Sequence, residues 1–174
     1  MGIFQLNHAV LFVDDLQRSV EFYTDVLGFR QVEMGGIRGA AFLRAADSTN
    51  DHDLGLFELP GAGASGAGRS TVGLYHLAWE VGTLAELQQV GERLAAAGAL
   101  GGASDHGTTK SLYGQDPNGL EFEIVWIIPA DLVTDADREA GNRIGRLDLQ
   151  REVDRFGAHT PGGVGVSRPA VATG

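Results

Sequence analysis

Five histidines carry most of the capacity of this 174-residue sequence for metal binding and proton transfer. The absence of cysteine excludes thiolate ligands, disulfides and a cysteine nucleophile. His8 and His76 occupy equivalent places in two apolar, strand-like segments, 6–13 (LNHAVLFV) and 74–81 (LYHLAWEV). A single histidine on an apolar strand is more often a core or edge residue than a ligand. Pairing the two segments about an axis would, however, direct both histidines into one cavity, which favours a shared site.

A third ligand is expected from another strand that lines the same cavity. Glu121 and Glu123 lie two residues apart in the last strand-like segment and share one face, so their spacing does not choose between them. Phe122, Ile124 and Trp126 share the opposite face. Two neutral imidazoles and one carboxylate leave open positions on non-haem Fe(II) for substrate and oxygen. Zinc, nickel and manganese also accept such an N/N/O set.

These residues are carried by a sequence repeat. Four residues recur 68 positions later in the same order: Leu6, His8, Val13 and Leu16 return as Leu74, His76, Val81 and Leu84. An amphipathic helix follows each first strand. The first helix begins at Asp14-Asp15 and stops at Gly28. The second begins with the capping-box spacing of Thr83 and Glu86 and stops at Gly98.

Short strand-like pieces follow each helix, so each repeat has the order βαβββ. The pieces are 29–34, 40–44 and 54–59 in the first repeat and 103–106, 111–114 and 120–126 in the second, with a hairpin turn at Pro117-Asn118-Gly119. The sequence therefore predicts an α+β domain, 1–128, in which two βαβββ modules, about 5–60 and 73–128, are paired around a metal-binding cavity.

Two segments lie outside the modules. The glycine-rich stretch 61–72 is predicted to be a flexible linker. Residues 129–174 form a C-terminal tail, within which Asp131–Phe156 is predicted to be one charged amphipathic helix. Residues 157–174 have linker composition and are predicted to be disordered unless something, such as a partner subunit, holds them.

Composition narrows the function classes. Hydrophobic residues are 43% and charged residues 21% of the chain, as in a folded globular protein. A net charge of −10 argues against nucleic-acid binding and against adhesion to anionic membranes. The sequence lacks a bilayer-length apolar stretch and an evident signal peptide, so a cytoplasmic protein is expected.

The sequence resembles the vicinal-oxygen-chelate superfamily, whose members pair βαβββ modules around a metal ion. The resemblance covers about residues 5–128. It rests on the opening segment LNHAVLFVDDLQRSVEFYTDVLGF and on the closing motif DPNGLEFEI. In that motif the ligand is the glutamate four residues after the glycine, so the resemblance implies that Glu123, rather than Glu121, joins His8 and His76 on the metal.

Within the superfamily, the sequence is similar to type I extradiol ring-cleaving dioxygenases. Their signature matches a segment that runs from His106 through Leu112-Tyr113 and Asp116-Pro117-Asn118-Gly119 to Glu123. Ser104, two residues before the histidine, departs from the usual pattern. His52 matches a second family histidine, at the start of the last strand of the first module. The resemblance implies that His52 lies on the side of the metal where dioxygen binds, and that His106 and Tyr113 form hydrogen bonds with the substrate oxygens. His159, in the tail, matches no family position.

The implied reaction is extradiol cleavage of a catechol by O2 at Fe(II), with Mn(II), Zn(II) or Ni(II) as other metals for the same site. The catechol would chelate the metal through both oxygens, and the ring would open beside one hydroxyl group. Proton transfer near neutral pH suits His106 or His52. The expected partners are a catecholic small molecule and O2, and a homodimer is expected because sheet edges and the long tail are exposed.

Two other functions remain open. Glyoxalase-I-type lyases and isomerases share the fold but use four protein ligands, one on the last strand of each module, and Glu58 is the candidate for the extra ligand. A drug-binding protein of the bleomycin-resistance kind would use the cavity without metal, which the presence of His8, His76 and Glu123 disfavours. The number and identity of the ligands would distinguish these functions.

Overall fold

A computed structural model describes residues 2–3, 5–63 and 72–170 of the chain. The chain divides into two compact units, Met1–Thr71 with Asp116–Leu120, and Val72–Gln115 with Glu121–Gly174. Each unit contains one four-stranded mixed sheet. Most of the predicted linker 61–72 lies outside the described residues. No helix within the described part has the length and apolarity that crossing a membrane requires.

The described residues of the first unit form one helical segment and the strands β1 to β4. The elements are β1 (Ala9–Val13), α1 (Leu16–Glu21) with a π-helical turn at Phe22–Val26, β2 (Arg30–Val32), β3 (Ala40–Arg44) and β4 (Leu54–Glu58). The strand order is β1-β4-β3-β2, with β1 parallel to β4 and the other pairs antiparallel. Asp15 caps α1 by accepting from the backbone N–H of Arg18 at 2.9 Å. Gly28 follows the π-helical turn with a φ of +82°.

The two faces of the first sheet differ. The face beneath α1 is closely packed and carries the buried side chains of Leu11, Val13, Ala41, Leu43, Leu54 and Leu56. The ladder register places Val10, Phe12, Phe42, Gly55 and Phe57 on the opposite face. On that face Val10 is 53% and Phe12 69% exposed. The first unit therefore presents an open apolar, aromatic surface.

The turn Asp116–Leu120 belongs to the first unit and contains the predicted hairpin residues. Burial and the Asp116 carboxylate raise the pKa of the Tyr23 phenol well above its ordinary value. The neutral phenol donates to Asp116 Oδ2 at 3.1 Å. Asn118 donates to Ser19 Oγ at 3.1 Å, and Gly119 has a φ of +80°. The predicted turn at 117–119 is therefore confirmed.

The second unit repeats the same order of elements. These are β5 (His76–Glu80), α2 (Leu84–Ala96), β6 (Leu100–Asp105), β7 (Thr109–Gln115) and β8 (Glu121–Ile127). The strand order is β5-β8-β7-β6, again with one parallel pair, β5 with β8. The capping box of Thr83 and Glu86 is present, and Gly98, with a φ of +66°, follows α2. The α+β class and the βαβββ order of both modules are thus confirmed.

The second sheet also has two unlike faces. Leu112, Phe122, Ile124 and Trp126 are buried on the face covered by α2, whose buried side chains are Leu84, Leu87, Val90 and Leu94. The register places the polar residues on the opposite face: His76, Glu121, Glu123, Tyr113, Ser111 and Ser104. The β period of two thus gathers the chemically capable side chains on the face away from the helix.

The tail differs from the sequence-based prediction. The expected single helix over 131–156 is wrong, because the chain forms α3 (Asp135–Ala140) and α4 (Leu149–Phe156) with an irregular stretch between them. Gly141 caps α3, and Gly145 leaves the helical path to pair with Asp105 of β6. Glycine in a helix interior costs about 1 kcal/mol relative to alanine, which favours breaks at these positions.

Residues 157–170 are ordered, so the predicted disorder is also wrong for this stretch. Gly162 N–H donates to the Gly82 carbonyl, and Gly163 N–H to that of Ile127, both at 2.8 Å. The Phe156 ring lies 5.4 Å from that of Trp126, centroid to centroid. Residues of the chain's own second unit therefore hold this part of the tail. Residues 171–174 lie outside the described residues.

An ion pair between the two tail helices makes stability depend on pH. Arg155 donates to both oxygens of the buried Asp137 at 2.7 and 2.6 Å and thereby holds the pKa of this carboxyl well below its ordinary value of 3.8. A folded-state pKa below the unfolded one gives stability that is complete above about pH 5 and is lost as the pH falls through the folded-state pKa. We expect Asp137→Asn to lower the free energy of unfolding by about 1–3 kcal/mol near neutral pH.

Urea denaturation of both proteins at about pH 7 and about pH 2 measures this effect. The difference between wild type and Asp137→Asn should shrink at the lower pH. The control Asp154→Asn, on the exposed side of α4 where Gln150 donates to it at 2.8 Å, should change stability by less than about 0.5 kcal/mol. If the difference in free energy of unfolding between wild type and Asp137→Asn is the same at both pH values, the ion pair with Arg155 is not the source of the pH dependence.

Candidate functional site

His76 and Glu123 meet on the polar face of the second sheet. His76 is the first residue of β5, and Glu123 lies on the adjacent parallel strand β8. His76 Nε2 is 3.1 Å from Glu123 Oε2, and the side chains are 25% and 14% exposed. Glu121, the direct register partner of His76, lies on the same face. The structure therefore brings Glu123 into contact with His76, and the role of Glu123 as a metal ligand stays a prediction.

The donors of this pair fit a metal ion. Two ligands bonded to one first-row ion at about 2.1 Å, in adjacent positions, lie about 3 Å apart. The 3.1 Å separation of His76 Nε2 and Glu123 Oε2 agrees with this value. Both side chains are partly exposed. An imidazole and a carboxylate are two of the three donors expected for the proposed N/N/O set.

His8 and His52 are neighbours in the first unit. Their ring centroids are 4.5 Å apart, and the His52 ring lies 5.0 Å from that of Phe42 on the apolar face of the sheet. His8 lies one residue before β1, and His52 lies two residues before β4. The prediction that both histidines lie on strands is therefore wrong. The reason is that the β1–β4 ladder starts at the Ala9–Leu54 pair.

Asn7 orients His8. His8 Nδ1 lies 2.7 Å from the Asn7 side-chain oxygen, and this acceptor requires a proton on Nδ1. In the neutral ring Nε2 is then free to act as a metal donor, as in histidine ligands whose second nitrogen is held by an acceptor. Asn50 in turn donates to the Asn7 backbone carbonyl at 2.9 Å. Nε2 is therefore the nitrogen through which His8 would bind a metal ion if it is a ligand, as predicted.

Among residues 2–3, 5–63 and 72–170, no group of three or more His, Cys, Asp or Glu side chains is arranged to hold a metal ion. The geometry shows two pairs, one in each unit: His8 with His52, and His76 with Glu123. A single centre that contains His8, His76 and Glu123 stays a prediction, and so does the homodimer.

A chain of hydrogen bonds leads from His106 to Glu123. His106 follows β6 in the turn before β7, and its Nε2 lies 2.8 Å from both Ser104 Oγ and Tyr113 Oη. Ser104 donates to Tyr113 Oη at 3.2 Å, and Tyr113 donates to Glu123 Oε1 at 3.3 Å. If His106 Nε2 carries a proton, every donor in this chain has an acceptor. The structure therefore joins the two predicted catalytic residues to the predicted ligand.

Tyr113 is held as a neutral phenol. Burial raises its pKa, and the nearby Glu123 carboxylate raises it further, while the hydrogen bond from Ser104 acts in the opposite direction. Tyr113 and Glu123 are direct register partners on β7 and β8, which explains their contact. At neutral pH Tyr113 is consequently a hydrogen-bond donor.

The first unit has no carboxylate at the position that Glu123 occupies in the second. Gly55 pairs with Val10 on parallel strands just as Glu123 pairs with Ala78, 68 residues later in each case. Glu58 lies at the end of β4, on the α1 side of the sheet, where its Oε1 accepts from the backbone N–H of Leu16 at 3.2 Å. This placement does not favour Glu58 as a fourth ligand.

Sequence reasoning missed two residues that the geometry brings to the site. Ser104, 5% exposed, had been noted only as a departure from the family pattern. Its hydroxyl nevertheless contacts both His106 and Tyr113. Asn7 carried one usable signal, since it is a polar residue directly before a candidate ligand. His159 is exposed in the tail.

Comparison with known proteins gives the family. The profile of the Glyoxalase/Bleomycin resistance protein/Dioxygenase superfamily matches residues 5–124. Biphenyl-2,3-diol 1,2-dioxygenase 3 of Rhodococcus globerulus is 32% identical over 121 residues, 69% of this chain and 62% of that protein. Catechol-2,3-dioxygenase of Bacillus subtilis (strain 168) is 33% identical over 122 residues, 68% of this chain and 40% of that protein. The chain thus matches less than two thirds of the length of either relative.

The solved structures agree with the fold. The glyoxylase/bleomycin resistance protein/dioxygenase domain from a Frankia species has a TM-score of 0.59 at 25% identity. This similarity covers 71% of the present chain and 92% of the Frankia domain. The profile match includes Glu123 but ends before the tail. From the profile match and the two-module fold, the chain belongs to the glyoxalase/bleomycin resistance protein/dioxygenase superfamily.

Proposed function

We propose that the chain is an extradiol dioxygenase that cleaves a catechol-type ring with O2 at a non-haem Fe(II) ion. His8, His76 and Glu123 would hold the ion. The observation that carries the proposal is the hydrogen-bonded chain from His106 through Ser104 and Tyr113 to Glu123, next to the His76 contact. The two dioxygenase relatives support the same reaction class.

The bound ion would supply open coordination positions and the Lewis acidity that lowers the pKa of a catechol hydroxyl. Mn(II), Zn(II) and Ni(II) accept the same donors, so the donor set does not select iron by itself. His8 and His76 would contribute neutral nitrogens, and Glu123 would contribute one negative charge.

The protein's own groups would manage the protons. His106 is the candidate proton-transfer group of this chain, because an imidazole can exchange a proton with a substrate oxygen and its Nε2 contacts Ser104 and Tyr113. Tyr113 can donate a hydrogen bond to the same region, because its phenol stays neutral. Ser104 joins the two and fixes their relative positions. His52, assigned to the dioxygen side by resemblance, has a buried Nδ1 with no hydrogen-bond partner among the described residues.

The apolar face of the first sheet supports an aromatic substrate. The ring centroids of Phe42 and Phe57 are 6.0 Å apart, and the rings meet edge to face. Val10 and Phe12, on the neighbouring strand β1, lie on the same face of the sheet. Aromatic rings pack favourably against one another in edge-to-face or offset arrangements, so this surface suits an aromatic ring. Gly55 adds no side chain to this surface, and a β-carbon there would make ordinary van der Waals contact with Val10 Cγ2 at 3.4 Å and Phe42 Cε1 at 3.5 Å.

Oxygen consumption tests the proposal. The protein is loaded with Fe(II) without oxygen and then exposed to O2 with a panel of catechols that differ in ring substituents. We expect O2 uptake and a yellow ring-cleavage product with at least one catechol. No uptake across the panel by protein that retains one Fe(II) per chain would reject the proposal. Isomerisation of an α-oxoaldehyde adduct without O2 uptake would support the lyase alternative instead.

The Ser104→Ala variant tests the hydrogen-bonded chain. Removing the hydroxyl deletes a contact to His106 and one to Tyr113, and we expect kcat to fall about tenfold, the equivalent of one hydrogen bond. KM for the catechol should change less than about threefold, because substrate binding does not require Ser104. Steady-state kinetics on Fe(II)-loaded protein measures both values.

Ser19→Ala is the matched control, since Ser19 is also buried and hydrogen-bonded but lies in α1. It should lower thermal stability and leave kcat unchanged. Equal losses of kcat in the two variants would show that Ser104 acts only through stability.

A further inference from the structure

The turn that carries His106 connects β6 and β7 at the edge of the second sheet. The His106 N–H donates to the Thr109 carbonyl at 3.0 Å, and the Gly107 N–H donates to Asp105 Oδ1 at 2.8 Å. Gly107 has a φ of +74°, a conformation that favours glycine. The backbone path of this turn therefore sets the position of the His106 ring.

The tail lies directly on this turn. Asp105 and Gly145 exchange two backbone hydrogen bonds, of 2.9 and 2.8 Å, along the edge of β6. A β-carbon on Gly107 would overlap the carbonyl oxygen of Asp137, the third residue of α3. The turn and the tail are thus packed without space between them.

Buried charges join the turn to α4. Lys110 is 1% exposed, and its Nζ donates to Asp105 Oδ1 at 2.6 Å and to the Gly107 carbonyl at 3.0 Å. The same Nζ forms an ion pair with Glu152 Oε2 at 3.3 Å, and Glu152 is fully buried. Arg151 contacts both carboxylates: its Nη2 lies 2.7 Å from Glu152 Oε1 and 3.3 Å from Asp105 Oδ2.

An ammonium group in this position resists displacement. Removing one member of a buried ion pair is strongly destabilising, because the other charge is left buried without its partner. Lys110 therefore stays where Asp105, the Gly107 carbonyl and Glu152 can all reach it. Its three partners come from the two sides of one junction, the His106 turn and helix α4.

We propose that Lys110 and Glu152 are positioning residues for His106, and that the tail segment 135–156 acts as a strap that fixes the turn. The strap holds the turn in the path that brings His106 Nε2 to 2.8 Å from both Ser104 and Tyr113. The inference rests on the proposed function only in assigning turnover to His106. The position of the ring can be measured without turnover.

Two variants break the junction. Glu152→Gln keeps the size of the side chain and removes its charge. Lys110→Met combined with Glu152→Met replaces the buried ion pair with apolar side chains, a change that folded proteins commonly tolerate. In both variants we expect the His106 imidazole resonances to shift in a long-range ¹H–¹⁵N correlation spectrum. Hydrogen exchange at residues 106–109 should accelerate at least about tenfold, the equivalent of one lost hydrogen bond.

Kinetics separates positioning from stability. We expect kcat to fall about tenfold in both variants, with KM and the Kd for Mn(II) within about twofold of wild type. Glu80→Gln is the matched control, because Glu80 anchors the far end of the tail through Ser167 at 2.8 Å and Arg168 at 3.7 Å, away from the turn. It should lower Tm and leave the His106 resonances and kcat unchanged.

The proposal is overturned if the folded double variant keeps wild-type His106 resonances and exchange rates, or if Glu80→Gln changes them equally. Should Glu152→Gln not fold, the double variant decides. If the wild-type protein turns over no catechol, the proposed function fails, and the resonances and exchange rates still decide whether the strap positions His106.

Discussion

Replacing Glu123 with glutamine is expected to weaken Fe(II) binding at least about 100-fold, because a neutral amide replaces the only anionic donor proposed for the ion. The side chain keeps its size and an oxygen that can still accept from Tyr113, so the fold should be retained. Isothermal titration with Mn(II) or anaerobic Fe(II) measures the change in Kd. Turnover should fall in parallel, since it requires the ion.

Glu121→Gln is the matched control. Glu121 lies two residues away on the same strand and the same face, and the same substitution removes the same charge. We expect its Kd for the metal to stay within about threefold of wild type, as for a charge near but not on the ion. If both variants lose metal equally, the site does not depend on the contact between His76 and Glu123. If neither variant loses metal, the assignment of Glu123 as the carboxylate ligand is wrong.

Replacing His106 with alanine is expected to lower kcat by about 10²–10⁴-fold, the contribution of a general acid–base residue, while the metal remains bound. The reason is that His106 contacts Tyr113 and Ser104 rather than Glu123 itself and is not a proposed ligand. His8→Ala provides the contrast, because it should lose the metal together with turnover. Kinetics and the metal content of the purified proteins measure the two effects.

His159→Ala controls for the removal of any imidazole, since His159 is exposed in the tail. It should leave kcat and metal content unchanged. Loss of metal in His106→Ala would place His106 on the ion and contradict its assigned role. Full turnover in that variant would exclude proton transfer by His106.

Local signals made the modules predictable. The capping box of Thr83 and Glu86, the cap at Asp15 and the glycines after the helices depend on backbone geometry within a few residues, and the structure contains all of them. The spacing of His76 and Glu123 on adjacent strands follows from the same 68-residue repeat. The repeat did not indicate the difference between the two copies, in which Gly55 of the first has the strand position of Glu123 in the second.

The tail was unpredictable for a physical reason. Its stability comes from partners far away in sequence, such as Lys110 with Glu152 and Gly82 with Gly162, which leave no periodic pattern. Composition alone favours disorder for a segment so rich in glycine, although backbone hydrogen bonds to β8 and α2 hold it. Ser104 was passed over for a similar reason, because its role depends on the position of the His106 ring.

Isotope labelling tests the central claim most directly. Fe(II)-loaded protein is mixed with a catechol and ¹⁸O₂, and the mass of the ring-opened product is measured. An extradiol dioxygenase places both oxygen atoms of O2 into the product, so we predict a doubly labelled ring-cleavage product, absent with Glu123→Gln. An unlabelled product, or a catechol returned unchanged by protein that holds its iron, would contradict the proposed reaction.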